Sequence, residues 1–65
     1  MGTWHYQIQE CNNKGQTYYQ IIEVYSHGAK TKYGVTPMGE TPEELIQDLE
    51  RMLEGAKTHP VLPKE

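Results

Sequence analysis

From Thr3 to Cys11 apolar and polar positions alternate, Trp4, Tyr6 and Ile8 falling on one face and His5, Gln7, Gln9 and Cys11 on the other. That period of two predicts a half-buried strand over about 3–11. Asn12-Asn13-Lys14-Gly15 follows, residues that tolerate positive φ, and predicts a hairpin loop. Gln16 to Tyr25 reads as a second strand with bulk on both sides, Tyr18, Ile22 and Val24 against Tyr19, Ile21 and Tyr25, so it is expected to be covered on both. Ser26-His27-Gly28-Ala29-Lys30 breaks the alternation as a second turn. Thr31 to Thr36 then reads as a third strand, which Pro37 ends or confines to an edge.

At Thr41 the period changes. Leu45, Ile46, Leu49, Met52, Leu53 and Ala56 recur at three- and four-residue spacing and form one apolar stripe, which predicts an amphipathic helix over about 42–57. Thr41 is suited to cap it, Pro42 sits where a missing N–H costs nothing, and Glu44 can reach back to complete a capping box. The residue before Pro60 is pushed out of the α region, which stops the helix. The tail, 58–65, contains Val61 and Leu62, whose apolar character in a polar terminus favours docking over the alternative, a short disordered end. The expected fold is α+β: a three-stranded antiparallel meander packed on one C-terminal helix, β-β-β-α, as a single domain over 1–65. One helix covers one sheet face, leaving the other to a partner, a ligand or water.

Composition sharpens this picture in three ways. Sixty-five residues without a phenylalanine make a core near the lower limit for independent stability, so association with further copies, a dimer first, is expected. Cys11 is the single cysteine, which excludes an intrachain disulfide and a cysteine-rich zinc site and agrees with a reducing cytoplasm. The net charge of −3 is uneven: Lys14, Lys30 and Lys32 exceed Glu10 and Glu23 before residue 40, and acidic residues dominate beyond it. No basic stripe exists for duplex nucleic acid. The longest aliphatic pieces are pairs such as Ile21-Ile22 and Leu45-Ile46, so neither a membrane span nor a signal peptide is expected, and the localisation expected is cytoplasmic.

Candidate chemistry narrows further. His5 and Cys11 share a strand face but six residues separate them by roughly 20 Å, too far for one metal ion, and His27 and His59 lie in other segments. No metal and no cofactor is expected. Ser26 and His27 project apart from an extended backbone, Cys11 has no basic neighbour, and the helix carboxylates lie mostly opposite the apolar stripe, so no catalytic residue is expected. The glycines lack phosphate-loop spacing. What remains is a set of rings ending in donors beside cations: Trp4, His5, Tyr6, Tyr19, Tyr25, Lys30, Lys32 and Tyr33. Such residues can stack a nucleobase and pair with phosphate, although tyrosine's preference for strands accounts for the same pattern. Tyr19, Ile21 and Tyr25 are the expected oligomer interface, a two-fold pairing of one patch with itself.

The segment Gly39-Glu40-Thr41-Pro42-Glu43-Glu44-Leu45, with the helix and Pro60-Val61-Leu62 after it, resembles the C-terminal signature of a group of small uncharacterised bacterial and phage proteins of three strands and a helix. Gly39 to Glu44 is also similar to the strand-to-helix junction of HicB-type antitoxins. Neither resemblance implies a catalytic residue. The function expected is a small non-enzymatic binding protein of the phage counter-defence type, sequestering a nucleotide-type signal at tyrosine-rich sheet or subunit interfaces. The alternative is a protein–protein inhibitor of antitoxin or counter-defence type.

Overall fold

The structure is a computed structural model and describes residues 3–64. Two long strands, β1 (Trp4–Asn13) and β2 (Gln16–Tyr25), pair antiparallel in a register running from Trp4 opposite Tyr25 to Asn13 opposite Gln16. Lys14 (φ 53°) and Gly15 (φ 84°) close the hairpin, both at the positive φ that a mirror-image two-residue turn requires, and Asn12 Oδ1 accepts the Gly15 N–H at 3.1 Å. The helix α1 (Pro42–Thr58) starts where the sequence indicates. Thr41 Oγ1 accepts from the Glu44 N–H at 3.1 Å, while the Glu44 carboxylate reaches past the cap to accept from the Glu40 N–H at 2.9 Å. No helix among the described residues is long and apolar enough to cross a membrane.

The sheet has two strands, which corrects the expected three-stranded meander. Residues 31–36 do lie along the outer edge of β2, with the Thr31 and Val35 N–H groups donating to the Glu23 and Ile21 carbonyls, but side chains take the other ladder positions. The Glu23 N–H donates to Thr31 Oγ1 at 2.9 Å and the Gly34 N–H to Gln20 Oε1 at 3.0 Å. A backbone whose partners are hydroxyl and amide side chains does not hold strand geometry. On the other edge, the tail binds β1 in parallel sense: the Leu62 N–H donates to the Ile8 carbonyl and the Glu10 N–H to the Leu62 carbonyl, each at 2.9 Å. The hairpin is thus flanked on both edges by irregular chain.

The helix lies over β1 on the face of Tyr6, and its orientation is not the one its apolar stripe implies. Its buried positions are Asp48, Met52 and Gly55. A Cβ on Gly55 would collide with the carbonyl of Tyr6, so glycine permits the close approach. The Tyr6 hydroxyl donates to Asp48 Oδ1 at 2.7 Å. Those contacts turn the stripe sideways, leaving Ile46 (55% exposed), Leu49 (47%) and Leu53 (57%) in solvent. The apolar core is correspondingly small, Tyr6, Ile22 and Met52. Only the second half of β2 is covered as expected; Tyr18 and Tyr19 stand exposed.

Candidate functional site

The cleft best suited to a ligand opens between the first residues of β1 and the last turns of α1. Its volume is about 340 Å³, and Trp4, His5, Tyr6, Arg51, Glu54, Thr58 and His59 line it around Gly55. That size falls at the lower end of small-molecule sites. Alternation along β1 places Trp4 and Tyr6 on one face, where their rings meet edge to face with centroids 4.9 Å apart and the Trp4 ring remains open to solvent. His5 points the other way and stacks on His59 at 3.7 Å, with its Nε2 donating to Gln7 Oε1 at 2.8 Å. His59 follows the helix as its C-cap residue, and its N–H donates to the Gly55 carbonyl.

Charge in the cleft comes from α1. Arg51 extends from the helix with its guanidinium mostly exposed, 4.0 Å from the Asp48 carboxylate, a distance that leaves most of its donors open. Glu54 faces the same space one turn later. Asp48 itself is committed to the fold: it accepts from Tyr6 and, through Oδ2, from the Met38 N–H at 3.0 Å. The Tyr6 bond first and the Met38 bond second hold its carboxyl below the usual range, against the opposing effect of burial. Burial first, and the same bond to Asp48 second, push the Tyr6 hydroxyl up to about 12.

The residues singled out from sequence do not form one constellation. Trp4, His5 and Tyr6 line the cleft, and Tyr25 pairs opposite Trp4, its hydroxyl donating to Glu23. Tyr19 lies six residues along β2, about 20 Å away. Lys30 bridges opposite Val24 on the reverse face and donates to Gln9 Oε1 at 3.3 Å. Lys32 sits over the Tyr33 ring at 5.8 Å, both exposed beyond the outer edge of β2. The proposed interface divides likewise: Tyr19, Ile21 and Tyr25 share the helix-side face, Tyr19 and Ile21 toward the hairpin turn and Tyr25 beside Trp4.

Arg51 and His59 enter the site unannounced by the sequence. The single arginine in an acidic helix was the available signal for one; the other follows only from the fold, which brings the helix end to the start of β1. Among the described residues no group of three His, Cys, Asp or Glu side chains is placed to hold a metal ion. Comparison of the chain with protein families, curated proteins and solved structures finds no match.

Proposed function

We propose that the chain is a small non-enzymatic binding protein that sequesters a nucleotide-type ligand in the Trp4 cleft. One observation carries the reading: an exposed indole face and an underused guanidinium open onto the same space. Stacking on an aromatic ring contributes about 1–3 kcal/mol per base. Arg51 supplies planar donors matched to a phosphate. The reading is one of binding and not of turnover because the buried carboxylate nearest the cleft, Asp48, does not line it and has both oxygens engaged by Tyr6 and the Met38 N–H. Lys30, Lys32 and Tyr33 take no part in this site.

Trp4 is the only tryptophan, so its fluorescence reports occupancy directly. Titration with a panel of cyclic and linear nucleotides, by calorimetry and by Trp4 emission, should find one that binds at micromolar concentration. Arg51→Ala should weaken that binding at least ~10-fold by removing a charge-assisted contact, and Glu54→Gln should strengthen it. No binding by any nucleotide at millimolar concentration, with no small molecule co-purifying by mass spectrometry, would sink the proposal.

A further inference from the structure

The flank of α1 turned away from the cleft presents Leu45, Ile46, Leu49 and Leu53 to solvent, four large apolar side chains with Glu50 at their outer edge. On that side of Tyr6 the sheet continues the surface with Ile8, Ile21 and Tyr19. We infer that this flank is the seat of a second copy of the chain, the two α1 helices packing antiparallel about a two-fold axis between Leu49 and Glu50.

Area is the first argument. A folded monomer of 7.5 kDa exposes about 4,200 Å². This chain exposes 5141 Å², roughly 900 Å² more than that scaling allows. That excess is spread over the whole chain, and it is of the order of the ~800 Å² that each partner contributes to a standard interface.

Charge placement is the second. In an antiparallel helix pair, like flanks meet, so positions equidistant from the axis face each other. Ile46 of one copy then meets Leu53 of the other, and Lys57 meets Glu43. Lys57 and Glu43 border the stripe on the same flank, and neither forms an ion pair among the described residues. A parallel pair would bring opposite flanks together and leave Lys57 of one copy and Glu43 of the other on different sides of the seam. A partner of different sequence has no reason to match this internal spacing of one cation and one anion, each about seven residues from an axis that passes between Leu49 and Glu50. Glu50, on the same flank and nearest the axis, meets its own copy and opposes the pairing.

Sedimentation equilibrium of the full chain tests the inference. The wild type should dimerise at micromolar concentration. Leu49→Glu, which enters the interface twice, should weaken the dimer at least ~100-fold while leaving the far-ultraviolet dichroism intact, since Leu49 is half exposed in the single chain. Glu50→Gln should tighten it several-fold. Glu43→Lys and Lys57→Glu should each weaken it, and the double exchange should restore it, a rescue that only antiparallel self-pairing produces. A wild type that stays monomeric at millimolar concentration overturns the inference, even if the same flank then captures another protein. So does a dimer indifferent to Leu49→Glu, or one that the double exchange fails to restore.

Discussion

The two faces of β1 are buried equally and by opposite chemistry. On the helix side Tyr6 is 6% exposed, packed against Gly55 and bonded to Asp48; on the reverse side Gln7 and Gln9 are 6% and 7% exposed, covered by the tail. Their amides donate to backbone carbonyls, Gln7 to Pro60 at 2.7 Å and Gln9 to Pro63 at 2.7 Å and Leu62 at 3.3 Å. Lys30 completes Gln9 from across the hairpin. A buried glutamine is costly only when its bonds are unmade, and none of these is. Alternation of apolar and polar residues therefore reports which chemistry each face uses, not which face sees water.

The largest test of that comparison is Ile22→Ala. Ile22, 1% exposed and opposite Gln7, is the one large apolar side chain fully enclosed on the amide side. Its truncation should cost about 2–5 kcal/mol in denaturant melts, as for an ordinary core position. A cost below 1 kcal/mol would mean that the amide network alone holds that face.

Gly55→Ala should come next, at about 1–3 kcal/mol, because overpacking against the Tyr6 backbone outweighs the helix propensity that alanine adds. Cleft geometry should change with it, visible as a shift in Trp4 emission. An unchanged melting temperature would show that α1 does not need its close approach.

Tyr6→Phe isolates the side-chain hydrogen bond that joins the sheet to α1. The loss expected is about 1–2 kcal/mol at neutral pH, since buried Asp48 loses one of its two donors. Because the folded carboxyl sits below its ordinary value of 3.8, the wild-type contribution is full above that value and disappears as pH falls through the depressed one. The Tyr6 hydroxyl has the reverse sign: raised from 10.0 to about 12, it contributes fully below pH 10 and is lost as pH rises through about 12. The variant's stability curve should thus converge on the wild type's at the acid end. Parallel curves there would break the assignment.

Gln9→Leu should be the smallest effect, about 0.5–1.5 kcal/mol, the net value of hydrogen bonds exchanged for apolar contact. Its sharper signature is local: amide exchange at Glu10 and Leu62 should accelerate as the tail loosens, while exchange within the helix stays slow.

The hairpin, the helix and its cap were all legible in the residues, because each is set by interactions between near neighbours. Lys14-Gly15 can take positive φ, Thr41 and Glu44 satisfy the first amides, and a period change at Thr41 separates strand from helix. The third strand was misread because alternation over 31–36 is a property of side-chain spacing, whereas a ladder needs free backbone partners. Thr31 Oγ1 and Gln20 Oε1 take those places from positions eight and fourteen residues away, which no local pattern encodes. The candidate ligand residues divided for a related reason: Trp4, His5 and Tyr6 are neighbours in the chain, but Tyr19, Lys30, Lys32 and Tyr33 depended on where the sheet ended.

Sequence alone determined that α1 would be amphipathic, and the tertiary structure decided which way it turned. Period and composition define an apolar stripe, but they say nothing of which edge of it meets the sheet. That choice belongs to Gly55, which lets the helix touch the Tyr6 backbone, and to the Tyr6 hydroxyl, which must find an acceptor when buried and finds Asp48 forty-two residues on. A close contact and a buried polar bond each require two distant groups at one place, so they exist only once the chain has folded. They outweigh the burial of Ile46, Leu49 and Leu53, and so leave that flank open.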